Sequence, residues 1–340
     1  MGDGRGSSRQ PVRAIRPSVT ENTMRTAPLV ALCLAASASP LLSQTSECAA
    51  FASSTRRVCS AAVDATRAFH PIAGILVSGG NPTIGSAGTL GGIGHATFAL
   101  RANAVELVVP DLDYNGAAAA VPADDMFWAP APLVEGAIGI YPGMSGGLLG
   151  IDLLGSAQLL PTDQIDNFTV AAGAQQIGDV ALGFGYGLRV GLLRESILLP
   201  AVSVSVMRRD MPRIVYGNVL GGDRYSYAVD LHATNLRLAA SKKLMIFDLA
   251  AGLGWDNYGG DALIRFRDPV TGVTQPEVPV ELDNSRVLGF LNAGMSLSFL
   301  RLTGEVGYQA GKDQQLTTDF EDFDTTEGKL FAGLGLRVGF

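Results

Sequence analysis

The chain is short of charge. Asp, Glu, Lys and Arg make up 17% of its 340 residues, against about 25% in an average soluble domain. Acidic residues outnumber basic ones, 32 to 25. That removes the basic footprint nucleic-acid binding needs, so no nucleic-acid partner is expected. Cysteines number 3, none in a C-x-x-C pair, and their spacing carries no metal pattern. Gly183, Gly185 and Gly187 sit at strand spacing and not in a strand-to-helix turn, so no phosphate cradle is present and no cofactor is expected. Beyond residue 44 no apolar run reaches about eighteen residues, the length read as a membrane-spanning helix. A hydrophobic fraction of 47% excludes disorder. The lack of a G-X-Y period and of heptads excludes collagen and coiled coil.

The start of the chain reads as an address. Residues 1–23 are polar and carry Arg5, Arg9, Arg13 and Arg16. Met24-Arg25 then opens an apolar run from Ala27 to Leu42 that includes the small residues Ala35, Ala36, Ser37 and Ala38. A charged start, a short apolar stretch and an A-x-A-like end describe a secretory signal peptide. Met24 is then the true start, and 1–23 an upstream extension. Cleavage is expected at Ala36-Ser37-Ala38 or by Gln44. Cys33 follows Leu32 in mid-run, a poor context for lipidation. Removing 1–44 takes away five of 25 basic and two of 32 acidic residues, leaving 20 against 30 and a net charge of −10. Export to an oxidising compartment favours a Cys48–Cys59 disulfide, two free thiols being the alternative.

The apolarity that remains alternates. In Lys329 to Phe340 one face reads Leu330, Ala332, Leu334, Leu336, Val338, Phe340, and the other is small or charged. Residues 180–192 repeat this, with Leu182, Phe184, Tyr186, Leu188 and Val190 against Gly183, Gly185, Gly187, Arg189 and Gly191. Residues 245–256 do so again. Side chains of a strand point alternately to opposite faces. A large-apolar face opposite a Gly/Ala/charged face suits a narrow barrel with lipid outside and little room inside. Ten segments follow this rule: 91–109, 131–141, 146–160, 177–193, 196–208, 225–239, 244–256, 284–299, 301–311 and 328–340. Their connections alternate long and short, the pattern of long external loops and short periplasmic turns.

With its terminal aromatic Phe340 after Leu336 and Val338, the last segment resembles the signal read by the barrel-assembly machinery, and the chain resembles a Gram-negative outer-membrane β-barrel protein. Gly80-Asn81-Pro82-Thr83, followed by Gly88-Thr89-Leu90-Gly91-Gly92, is similar to the N-terminal hatch of the FadL-type hydrophobic-compound transporters, which carry an Asn-Pro motif before their first strand. That family has fourteen strands. The expected fold is all-β: a closed antiparallel transmembrane barrel of about ten strands, ten to fourteen being allowed. Residues 1–44 are extension and signal peptide, 45–90 a periplasmic or plug segment, and 91–340 the barrel. A helix is expected from Ala49 to Phe69, ended by Pro71.

Lumen-facing candidates are His95, Arg101, Asp152, Asp179, Arg189, Asp230, His232, Asp248, Glu305 and Arg337. Tyr227, Val229 and Leu231 are assigned to lipid, which turns Asp230 and His232 inward. Buried ions of both signs must pair or stay wet. Tyr141, Trp255, Tyr258, Phe299 and Phe340 are read as an aromatic girdle. The acidic loop 313–327 lacks the glycine and spacing of a calcium loop and is read as solvated. The expected function is porin-like or transporter-like passage of small solutes or hydrophobic compounds, without catalysis. A plugged structural barrel is the alternative. A hydrolase using His232 or His95 is the third reading, for which no G-x-S-x-G motif is present. The expected partners are outer-membrane lipid, lipopolysaccharide and the assembly machinery.

Overall fold

Alternating segments bury backbone polar groups in lipid only if the sheet closes on itself. In the computed structural model, which describes residues 47–144, 148–161, 168–170, 174, 176–177 and 180–340, it does. The wall consists of β1 (Ala96–Pro110), β2 (Ala123–Tyr141), β3 (Ile151–Pro161), β4 (Val180–Leu193), β5 (Ala201–Tyr216), β6 (Tyr225–Leu244), β7 (Phe247–Phe266), β8 (Val278–Leu297), β9 (Leu300–Gln309) and β10 (Lys329–Gly339). Each pairs antiparallel with its neighbours in the chain, and β10 closes on β1 in a register running from Thr97↔Gly339 to Val105↔Phe331. Turns 245–246 and 298–299 lie at the short-turn end with 142–144, 148–150 and 194–200, while 217–224, 267–277 and 310–328 connect strands at the other end.

The outer surface fixes the membrane. Phe98, Leu100, Leu236, Leu238, Leu249, Leu253, Leu291, Val306, Leu334 and Leu336 point out and are exposed. The band ends at the cross-strand row Val206, Leu236, Trp255, Val287. The next outward row is polar (Arg208, Thr234, Asn257, Ser285), and the one after it holds Asp210, His232, Gly259 and Asp283. A membrane strand needs about 9–11 residues, whereas β6, β7 and β8 have 20 each. Their remainders stand beyond the lipid on the long-loop side. A closed barrel with such a band and short periplasmic turns is an outer-membrane barrel, and the chain resides in the outer membrane of a Gram-negative envelope.

Beyond the band the polarity of the wall reverses. Inward residues there are Tyr225, Tyr227, Ile264, Phe266, Val278, Val280 and Leu282, all buried. They pack on α1 (Ser53–Ser78), which starts at the external rim and runs down the lumen. At its start Phe51 meets Phe266 edge-on, Thr55 donates to Asp268 and Arg57 donates to Gly116 O. Val58, Cys59 and Ala62 pack in the upper cluster, while Ile72 and Ile75 meet Leu288, Phe290 and Phe331 further down. The Cys48–Cys59 disulfide is present, with a Cα–Cα distance of 5.8 Å, and staples the preceding turn to the helix.

Three expectations are corrected. The helix continues through Pro71 to Ser78; the carbonyl the ring leaves unpaired, Arg67 O, faces the Gln314 amide at 2.9 Å. Segments 209–216, 257–266 and 278–283, read as loops, are strand. Their apolar residues face a packed helix and not lipid. Tyr258, read as girdle, is fully buried in the lumen, bonded to Asp256 and Gln309.

Candidate functional site

Below α1 the chain descends through residues 79–92, here the hatch, to the short-turn end where β1 begins. Gly79 ends the helix with φ 60°, and its N–H bonds to Ile75 O. A Cβ at Gly79 would meet the Arg101 guanidinium, and one at Gly80 would meet Phe290 and Glu305. Two consecutive glycines therefore let wall side chains reach the hatch backbone itself.

Those side chains form a latch. Glu305 accepts from the Gly80 and Asn81 amides at 2.9 and 2.8 Å. It also accepts from Arg101 and, at 2.7 Å, from Asn292 Nδ2. Arg101 donates to Asn81 O at 2.6 Å. Arg237 donates to Gly80 O at 2.6 Å and Gly79 O at 2.9 Å, and pairs with Asp256. Asp256 is held in turn by Asn235 at 2.7 Å and Tyr258 at 2.6 Å. All of these wall residues are buried. Charges taken from water cost several kcal/mol each unless paired. Here the pairing is completed by the hatch.

A second grip lies lower. Asp152 accepts from Arg189 Nη2 at 2.7 Å and from the Leu90 amide at 3.1 Å. Arg189 also donates to Thr83 Oγ1, the Ala87 amide to Ser241 Oγ at 2.9 Å, and Arg337 to Ile84 O at 3.2 Å. Ile84, Ala87 and Leu90 supply the hatch's apolar contacts. Glu135 faces Arg101 and Arg209 at 3.7 Å each, beyond hydrogen-bond reach. Asp248 pairs with Arg301 at 2.9 Å.

The external end is closed differently. Strand Ala120–Val121 pairs with Asp319–Phe320 across the rim. Phe69 stacks on Phe323 and meets Phe320 edge-on. Asp64 on α1 accepts from the Thr317 and Thr318 amides at 3.0 Å. The Thr55 hydroxyl, with the Thr271 and Val270 amides, holds the Asp268 carboxyl down to about 2. Burial pushes His70, on α1 against Asp230 O, down to about 4.

Of the lumen candidates, Arg101, Asp152, Arg189, Asp248, Glu305 and Arg337 face inward. Asp179 lies outside the described residues. His95 is exposed, precedes β1 and bonds to Gly92 O at 3.4 Å, because the strand begins one residue later. Asp230 and His232 face outward. Apolarity alone assigns Val229 and Leu231 to lipid, but beyond the band the apolar face is the inner one. The same parity error hid Arg237, which Leu236 and Leu238, both lipid-facing, already place in the lumen. Leu336 and Val338 lie on the outer face of β10, and Phe340, just past its end, is exposed.

No protein-family model and no curated protein sequence matches the chain. Among solved structures it is similar to the outer membrane protease OmpT from Escherichia coli (14% identity, 72% of this chain and 96% of that one, TM-score 0.36). It is also similar to the translocator domain of the autotransporter NalP from Neisseria meningitidis (12%, 81% and 98%, 0.39). A third is the toluene transporter TbuX of Ralstonia pickettii (9%, 78% and 93%, 0.29).

Proposed function

We propose that this barrel is a gated conduit for small solutes or hydrophobic compounds, closed in this state by its own hatch. The observation that carries the reading is the contrast between the two parts of the lumen filling. α1 is held by an apolar cluster, a disulfide and rim loops. The hatch is held chiefly by hydrogen bonds from charged wall residues to its backbone. Each such bond to a charged group contributes about 1.5–3 kcal/mol net, but water admitted on opening can take its place, which it cannot do for an apolar contact, so a hatch held this way can leave the wall while α1 stays.

A cross-link tests this. A Cβ at Gly88 would lie 3.6 Å from Ala201 Cβ, within the span of a disulfide. Gly88→Cys with Ala201→Cys should form folded barrels, shown by heat-modifiable gel mobility, that pass no graded solute or monoaromatic compound in proteoliposomes until reduced. Wild type should pass it in both conditions. Equal flux in locked and reduced protein would refute a moving hatch.

The rim pairing and the Phe69–Phe320–Phe323 cluster favour a second reading, a permanently plugged envelope protein. It predicts no flux in any state. Under either reading lipid and lipopolysaccharide cover the band, and Leu336, Val338 and Phe340 are the proposed handle for the assembly machinery.

A further inference from the structure

We infer that Glu135 is the open-state partner of Arg101: it competes with the hatch for one guanidinium nitrogen and so sets how readily the hatch leaves. The inference rests on the moving hatch proposed above. Glu135 projects from β2 into the lumen and is buried. Neither of its carboxylate oxygens has a hydrogen-bond donor among the described residues. A buried charged acceptor without a donor is a destabilising feature of the state that contains it. Here that state is the docked one.

The geometry identifies the missing donor. With the hatch docked, all three nitrogens of Arg101 are engaged. Nε donates to Asn103 Oδ1 at 2.6 Å, Nη1 to Asn81 O at 2.6 Å, and Nη2 to Glu305. Glu135 Oε1 lies 3.7 Å from Nη1, the same nitrogen that holds Asn81 O. Asn103 and Glu305 belong to the wall, whereas Asn81 belongs to the hatch. Departure of the hatch therefore frees Nη1 and leaves the other two nitrogens where they were. A shift of about 1 Å then brings Nη1 and Glu135 to the separation of a charge-assisted hydrogen bond.

The wall leaves Glu135 available for this exchange. Its register partners are Ala99 on β1 and Ser156 on β3. Alanine offers no donor, and Ser156 is engaged with Gln158 at 2.9 Å. On the other side Arg209 Nη2 stands 3.7 Å away. Arg209 is also a wall residue, so its attraction to Glu135 is present in both states and largely cancels from the docking equilibrium. Two carboxylates thus act on the hatch with opposite sign. Glu305 binds the hatch amides and favours docking, while Glu135 gains a donor on undocking and favours release.

Hydrogen exchange of the hatch, read by mass spectrometry on the full-length barrel in detergent, tests this. The Gly80, Asn81, Gly85, Ala87 and Leu90 amides donate to wall side chains. They exchange when the hatch undocks, at a rate that follows the open fraction. Glu135→Gln should slow exchange of residues 79–90 at least about tenfold, the equivalent of one charge-assisted hydrogen bond lost from the open state. Exchange of residues 53–63 on α1 should not change. A merely structural ion-pair role predicts the reverse, faster hatch exchange, because Arg101 loses a counter-charge. Glu135→Asp keeps the charge but draws it back from Nη1, and should also slow the hatch. It decides the matter if Glu135→Gln lacks the heat-modifiable mobility of a folded barrel. Unchanged or faster hatch exchange in the folded variants would overturn the role of Glu135 and leave a moving hatch in place. Wild-type hatch amides that exchange no faster than those of β6 to β8 would remove the moving hatch, and this inference with it.

Discussion

Glu305→Gln is the most direct probe of the latch. Four donors converge on this carboxylate: the Gly80 amide and Arg101 on Oε1, and the Asn81 amide and Asn292 Nδ2 on Oε2. Glutamine keeps the shape but turns one acceptor oxygen into an NH2 donor. Whichever way the amide lies, two donors then face a donor, and Arg101 loses its closest counter-charge. Breaking a buried, hydrogen-bonded ion pair from one side costs about 3–5 kcal/mol. Each 1.4 kcal/mol or so is a tenfold change in an equilibrium constant. If most of that cost falls on hatch docking, the open-to-closed ratio rises at least about 100-fold. Planar-bilayer recording reads this as a change from rare openings in wild type to frequent or sustained ones in the variant, at equal protein and with heat-modifiable mobility as the folding control. A folded Glu305→Gln barrel as closed as wild type would refute the latch.

Three further outcomes are expected. Leu291→Arg, in the middle row of the lipid face, should cost about 2–4 kcal/mol, while Asp261→Arg, outward on the same wall beyond the band, should be nearly neutral; urea unfolding in detergent read by gel mobility compares the two. Acid should loosen the upper lumen: His70 is held neutral when folded, with its pKa lowered from 6.5 to about 4. The unfolded segment therefore binds the proton first. Stability is full above pH 6.5, falls as pH drops and is lost by about pH 4, a total of about 3 kcal/mol at 1.36 kcal/mol per unit. Hydrogen exchange of α1 against pH should show that window, and His70→Gln should flatten it. Cys48→Ser with Cys59→Ser, which opens a loop of sequence separation 11, should cost about 2–3 kcal/mol and speed exchange of residues 53–63 without changing flux.

The membrane half of the wall was legible in the sequence because lipid imposes one rule there: every second residue large and apolar, the rest small or charged. β4, the lower part of β7 and β10 follow it residue for residue. The outer half was not, because the rule inverts once water replaces lipid outside and a helix fills the lumen. Leu236-Arg237-Leu238 and Tyr225-Ser226-Tyr227 lie on one strand with one parity, yet apolar means out in the first and in in the second. Alternation alone cannot mark where that sign changes. The change is visible where one parity turns from Leu/Val to Asp/His/Thr, as at Thr234. The latch was half-legible. Arg101, Asp152, Arg189 and Glu305 were placed by strand parity. That Arg101, Asp152 and Glu305 hold hatch backbone, and Arg189 the Thr83 hydroxyl, could not be read, because a backbone group such as Asn81 O leaves no mark in a sequence.

The path of α1 also bears on how the wall is assembled. The chain enters the lumen at the surface end and leaves it at the periplasmic end as β1, so it passes once along the axis of a cylinder whose seam is β1 against β10. A finished cylinder could admit this segment only by end-on passage, with its stapled N-terminal turn leading past the charged side chains that fill the bore. Wrapping avoids that passage: the segment lies in place while the strands pair around it, and the seam closes last. The helix would then act as the mandrel on which the cylinder is wound, and a chain lacking it would be expected to form its seam slowly and to be cleared by periplasmic proteases.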